Sequence, residues 1–377
     1  MPVPATLAEI PTPALLVDVA AMERNIATMA RFFSEGSCRL RPHFKAHKTP
    51  EIARRQLAAG SCVGLTCATV SEAEIAAAFC DDILIANEII GADKCARVSA
   101  LACGADSGSG ADLYGPRSIT IAIDSEEGLK QIAAAIAGCQ GPRRIEIGIL
   151  VDINVGQGRC GVAPGAEALA LATRVAATTG VRLRGVIGYE GHLQPIPDRA
   201  ERERKATAAM TALVSTARLL QQSGLPCDIV SGGGTGTYDI SGRVAGVTEI
   251  QAGSYVLMDT DYARLNLPFE QAFSVLGTVV STPSAGYCVA DCGHKSTTKD
   301  HGLPSVKGMP GATVTLLNDE HVVIALPPGN PVKIGDRIEL WPSHTDPTVN
   351  LHDVFYAIED GRVSGVWPIA ARGYKNP

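Results

Sequence analysis

Arg41-Pro42-His43-Phe44-Lys45-Ala46-His47-Lys48-Thr49-Pro50 closes an apolar run and opens a helix, and reading it as the first of a series of strand-to-helix turns decides the fold. Short β-rich runs recur at Arg39–Lys45, Gly64–Thr69, Asp82–Asn87, Ser118–Asp124, Ile145–Asn154, Leu183–Tyr189, Asp228–Ser231 and Glu249–Tyr255. Periodicity and composition predict helices between them at Pro50–Ala59, Ser71–Phe79, Ala92–Cys103, Ser125–Ile136, Ala166–Thr178 and Arg199–Ser223. Ser71 and Glu74 have capping-box spacing. Only the last two strands lack a clear helix between them. Eight strand-helix units over roughly 220 residues argue for a (β/α)8 barrel, with a doubly wound open sheet as the alternative.

Outside these units the texture changes. Ala14–Asp18 reads as a strand followed by an amphipathic helix. From about residue 265, Val/Ile/Thr alternation and Pro/Gly turns mark strands at Phe273–Ser281, Tyr287–Ala290, Ala312–Leu317, Val322–Leu326, Arg337–Trp341 and Val354–Glu359. The predicted organisation is a barrel over 12–264 and an antiparallel β domain over 265–377 with 1–11, a division suited to 377 residues.

Composition narrows the class further. With 46% hydrophobic and 19% charged residues the chain reads as a soluble enzyme without a spanning segment. A balance of 33 basic against 39 acidic residues, without a basic block or aromatic stripe, argues against nucleic acid. Eleven cysteines without a CxxC pair point to reduced thiols in the cytoplasm and away from a disulfide framework. The start Met1-Pro2-Val3-Pro4 lacks the basic and apolar regions of a signal peptide.

In such a barrel, chemistry gathers at the C-terminal ends of the strands, where Lys45 ends the first. Burial and the flanking His43 and His47 disfavour its ammonium form, and a neutral amine is what a Schiff-base lysine needs. The plain alternative is a surface cation. Ser231-Gly232-Gly233-Gly234-Thr235-Gly236 follows the seventh strand, where glycine amides and the Thr235 hydroxyl suit a phosphate, and Gly253-Ser254-Tyr255 lies on the eighth. Phosphate plus an imine lysine describes pyridoxal 5'-phosphate. Arg159 faces either the cofactor or a structural salt bridge, Tyr189 lies beside the cofactor, and Glu190 or His192 moves a proton. His344-Thr345-Asp346, read as an extended segment, puts an imidazole and a carboxylate on one side, as Mn²⁺, Mg²⁺ or Zn²⁺ would require. His352-Asp353 is a second such pair.

Together Arg41–Lys45, Gly156–Gly161, Ser231–Gly236, Gln251–Tyr255 with Met258-Asp259, Lys295–Thr298, Asp319–His321 and His344–Asp353 resemble the fold-type III pyridoxal-phosphate enzymes related to D-threonine aldolase and D-serine dehydratase. The resemblance implies an alanine-racemase-like barrel with a β domain, a homodimer, the cofactor on Lys45 and a divalent metal on His344 and Asp346. It also implies small β-hydroxy-D-amino acids as substrates. Dehydratase-like members usually carry cysteine and zinc where this chain has Asp346, whereas aldolase-like members carry aspartate with Mn²⁺ or Mg²⁺. Aldolases of the family have Tyr-His-Gly after the sixth strand, the histidine acting as base. Here the residues are Tyr189-Glu190-Gly191-His192, so Glu190 takes the equivalent place and His192 stands two residues on. The expected activity is therefore cleavage to glycine and an aldehyde, with dehydration to a 2-oxo acid and ammonia as the alternative. A protein that carries the cofactor without turnover is a minor third.

Overall fold

The computed structural model describes residues 4–103, 118–139, 146–284, 286–329 and 331–373. The described residues fall into two compact units, one within Met1–Met29, Ala46–Arg55 and Ser254–Pro377 and the other within Ala30–Lys45 and Gln56–Gly253.

The second unit carries an eight-stranded parallel sheet of β2 (Arg39–Leu40), β3 (Leu65–Cys67), β4 (Asp82–Glu88), β5 (Ser118–Ile123), β6 (Ile147–Asp152), β7 (Val181–Gly188), β8 (Ile229–Gly232) and β9 (Glu249–Ile250). Its order is β2-β9-β8-β7-β6-β5-β4-β3, and parallel bridges Leu40↔Cys62 and His43↔Thr66 carry the pairing from β2 back to β3. The strands close on themselves, as the barrel reading requires. Ile145, the expected start of the fifth strand, lies outside the described residues.

The helices are α1 (Val19–Ser34), α2 (Pro50–Ala58), α3 (Val70–Ala76), α4 (Ala92–Cys103), α5 (Glu126–Gly138), α6 (Ala166–Ala177), α7 (Arg199–Gln222) and the short α8 (Tyr238–Ser241) between the last two strands. Helix cover explains why β5 and β6 are buried at five of six positions each and read as continuous apolar runs. Leu84, Ala122, Leu150, Ile187 and Ile229 form one core layer across five neighbouring strands.

One local expectation is corrected. The capping box of α3 is Thr69 with Glu72, in place of Ser71 with Glu74: Glu72 N donates to Thr69 Oγ1 at 3.2 Å and Ala68 N to Glu72 Oε2 at 2.6 Å. Ser71 and Glu74 are instead engaged by Arg97. The sulfurs of Cys103 and Cys139, at the C-terminal ends of α4 and α5, meet with Cα atoms 7.5 Å apart, wider than a relaxed disulfide spans, while the other nine cysteines are free.

The first unit is built on a nine-stranded sheet of β1 (Ala14–Asp18), β10 (Phe273–Ser284), β11 (Tyr287–Ala290), β12 (Ser305–Val306), β13 (Thr313–Leu317), β14 (Val322–Ala325), β15 (Arg337–Trp341), β16 (Val354–Glu359) and β17 (Arg362–Pro368). β1 lies between β10, to which it runs antiparallel, and β16, to which it runs parallel. Ile10, Ala14, Leu16 and Leu276 make part of its core. Two short helices, α9 (Thr260–Ala263) and α10 (Thr345–Asn350), complete it. No helix among the described residues is long and apolar enough to cross a membrane.

Candidate active site

Lys45 lies in a 3-10 turn, Phe44–Ala46, just beyond β2. Arg41, 2% exposed, makes a bidentate pair with Glu249 at 2.9 and 3.0 Å and a second ion pair with Asp82 at 2.8 Å. This buried cation ties the end of β2 to β9 and β4. Lys45 N donates to His43 Nδ1 at 3.4 Å, and Thr49 N to His47 Nδ1 at 3.2 Å. The lysine is half-buried and His47 fully buried.

After β6, the loop 153–162 folds back on itself, with Asn154 Oδ1 accepting from Gly156 N and Gly158 N. Arg159, exposed, sits with its guanidinium 5.7 Å from the centre of the Tyr189 ring. Both line a small cavity with Asp152, Asn154, Gln157 and Cys160. His192, also exposed, lies against the same loop, since a Cβ on Gly156 would come within 3.6 Å of its ring. Arg159 and Tyr189 are thus brought together, with His192 against the same loop at Gly156.

Sequence reasoning missed an acidic group in the same unit. Glu88, Asp124 and Cys160 place ligand atoms within 4.8 Å of one another. Burial, then the Glu88 carboxyl, pushes Asp152 up to about 8. Glu88 ends β4, Asp124 follows β5 and Asp152 ends β6, so the strand-end rule that singled out Lys45 also marks them.

Glu190 is fully buried. Its carboxylate accepts from Gly233 N at 3.1 Å, Thr237 Oγ1 at 2.7 Å and Ser241 Oγ at 2.7 Å. Gln194, 3% exposed, adds two bonds: its Nε2 donates to Thr237 Oγ1 at 2.9 Å and its Oε1 accepts from Gly236 N at 2.7 Å. Gly234 N donates to Thr237 Oγ1 at 3.3 Å. The amides of Gly233, Gly234 and Gly236, expected to face a phosphate, are therefore donated inside the protein. Glycine is needed here for close approach, because a Cβ on Gly236 would lie 2.4 Å from the Gln194 carbonyl oxygen. Thr235 is 2% exposed. Ser254 opens a 3-10 turn directly after Gly253, and Tyr255 is fully buried with its ring against Phe269.

His344 and Asp346 do not lie on an extended segment. His344 is the N-cap of α10 and Asp346 its second residue. Asp259, fully buried, holds this turn by accepting from Thr345 N and Thr345 Oγ1, each at 2.8 Å, and it caps α9 through Tyr262 N at 2.9 Å. Burial raises Asp259 above the ordinary carboxylate range despite these donors. His344 Nδ1 pairs with Asp300 Oδ2 at 2.6 Å, and its ring stacks on His301 at 4.0 Å. Against the effect of burial, hydrogen bonds from Thr298 and His344 hold Asp300 below the usual carboxylate range. Asp300, His301 and His344 place ligand atoms within 4.8 Å of one another, a donor set that fits Mn²⁺, Mg²⁺ or Zn²⁺. The pair His352-Asp353 does not form: His352 Nε2 donates to the Ser296 carbonyl and Asp353 pairs with Arg372.

For pyridoxal phosphate, half-buried Lys45 just past a strand end fits the imine position, and Arg159 over Tyr189 fits an acidic ring substituent.

A family model described as alanine racemase, N-terminal domain, matches residues 17–261, and one described as putative serine dehydratase domain matches 272–358. The chain is 41% identical over 376 residues to a D-threonine aldolase of Arthrobacter sp., covering 98% of this chain and 94% of that protein. The crystal structure of D-threonine aldolase from Filomicrobium marinum matches with a TM-score of 0.89 at 36% identity, covering 98% of both chains. D-threo-3-hydroxyaspartate dehydratase from Delftia sp. HT23 matches with a TM-score of 0.83 at 29% identity, over 98% of this chain and 100% of that one. A variant of a D-threo-3-hydroxyaspartate dehydratase has been solved in a metal-free form.

Proposed function

The chain belongs to the alanine-racemase-like family that includes D-threonine aldolase and D-threo-3-hydroxyaspartate dehydratase, and from that premise we propose a pyridoxal-phosphate- and divalent-metal-dependent lyase that cleaves β-hydroxy-D-amino acids to glycine and an aldehyde. The observation that carries the aldolase reading is the turn His344-Thr345-Asp346, which supplies an imidazole and a carboxylate two residues apart at the start of α10 and is locked by buried Asp259. A hard oxygen donor suits Mn²⁺ or Mg²⁺ better than a thiolate would.

Lys45 holds the cofactor, with His43 accepting the Lys45 amide. Arg159, Tyr189, Thr235 and the Gly253–Tyr255 segment bind its ring and phosphate, and Glu190 and Gln194 fix the shape of the loop at Gly233–Gly236 by taking up the Gly233 and Gly236 amides. His344 and Asp346 hold the metal. When bound, pyridoxal phosphate supplies the electron sink for breaking a bond to the α-carbon, and the metal acidifies the β-hydroxyl. His192, exposed and unburdened by the loop contacts that occupy Glu190, takes the proton from the β-hydroxyl oxygen. A cytoplasmic homodimer belongs to the same proposal, and gel filtration tests the dimer.

Dehydration is the second reading, favoured by the match to the Delftia enzyme and by Glu190 in place of a histidine. Incubating the cofactor-loaded protein with D-threonine, D-serine and 3-hydroxy-D-aspartate, each with Mn²⁺ and with chelator, separates the two. Glycine and aldehyde, lost on chelation, support the aldolase; 2-oxo acid and ammonia support the dehydratase.

A further inference from the structure

Two imidazoles of the first unit, His301 and His344, lie face to face with centroids 4.0 Å apart and planes 10° from parallel. Each has its own carboxylate at Nδ1. Asp261 Oδ2 is 3.1 Å from His301 Nδ1, and Asp300 Oδ2 is 2.6 Å from His344 Nδ1. A carboxylate there holds the proton on Nδ1 and turns the Nε2 lone pair outward, which is the form in which histidine binds a metal.

Asp300 is itself fixed in place. Thr298 Oγ1 donates to Asp300 Oδ1 at 2.5 Å and accepts from Asp300 N at 3.2 Å. The same threonine reaches both sides of the His344 turn. Its amide donates to Thr348 Oγ1 on α10 at 3.3 Å, and its carbonyl accepts from Ser343 Oγ at 3.4 Å. A lone hydrogen bond between side chains 26% and 46% exposed contributes little to stability. Its geometry therefore bears on orientation more than on folding.

We infer that Asp300 is a positioning residue for the metal, committing His344 to bind through Nε2, while the His301–Asp261 pair holds the plane of the His344 ring. Asp300 and His301 thus belong to the metal centre, whereas the sequence pointed to His344 and Asp346, with His352-Asp353 as a second pair. The inference rests on the proposed metal-dependent function and adds the residues that set metal affinity.

The test is a Mn²⁺ titration of metal-stripped full-length protein, following the electron paramagnetic resonance signal of free Mn²⁺, with melting temperature as the control for folding. Asp300→Ala should weaken Mn²⁺ binding about 10- to 100-fold. Asp300→Asn, which keeps an acceptor for His344 Nδ1, should lose less and carries the test if the alanine variant fails to fold. His301→Ala should lose less still. A structural role alone would lower the melting temperature and leave affinity per folded molecule unchanged. If His344→Ala loses the site while both Asp300 variants bind as wild type, the positioning role is overturned and the metal site stands. Wild-type binding by His344→Ala would instead overturn the metal site itself.

Discussion

Glu190 and Asp152 sit at the C-terminal ends of neighbouring strands of one sheet, and they meet opposite surroundings. Glu190 faces donors: one amide and two hydroxyls within 3.1 Å. Asp152 faces other carboxylates, Glu88 and Asp124, and burial with Glu88 pushes it up to about 8. The first arrangement holds a loop, and the second holds a proton. Position at a strand end therefore marks polar residues without saying what they do, and the partners decide.

The contrast is broken most directly at Glu190. Glu190→Ala strands three buried donors and should cost about 3 kcal/mol of stability, read by urea unfolding. A loss no larger than that of a surface substitution would show that the loop stands without it. Asp259 in the other unit transfers the argument, because it too is fully buried among three donors. Asp259→Ala should cost about 2 kcal/mol and weaken Mn²⁺ binding, since the turn carrying His344 and Asp346 loses its anchor.

Asp152 sharpens the other side. Its folded value lies above the ordinary 3.8, so the folded chain keeps a proton that the unfolded chain releases. Stability should be fully present below the ordinary carboxylate range and fall as pH rises toward about 8. Asp152→Asn should flatten that decline in melting curves at several pH values. The smallest effect is at Cys160, whose thiol is raised by burial and then by Glu88. Glu88→Gln should speed its alkylation, measured by peptide mapping.

Much of this was legible in the sequence. The eight parallel strands and their helices follow from apolar runs alternating with helical periodicity, and Asp228–Ser231 and Ile229–Gly232 differ by one residue. β17 was missed, although Glu359-Asp360-Gly361-Arg362 carries the Asp-Gly turn of a hairpin, with φ of 48° and 73° at its centre. The conformation of His344-Thr345-Asp346 was misjudged because a histidine and an aspartate two apart look alike on a strand and at a helix start. Only the acceptor Asp259, 86 residues away, fixes the choice. Asp300 and His301 gave no local signal, because their meaning comes from stacking and pairing with His344.

The most direct measurement compares Glu190→Gln and His192→Ala for D-threonine cleavage at saturating cofactor and for pyridoxal phosphate affinity. His192→Ala should lose about 10²- to 10⁴-fold in kcat with cofactor affinity kept, as removal of a base requires, whereas the loss in Glu190→Gln should fall mainly on cofactor affinity. The opposite pattern, a collapse of kcat in Glu190→Gln at full cofactor binding with His192→Ala turning over normally, would make Glu190 the base and contradict its role as a clamp.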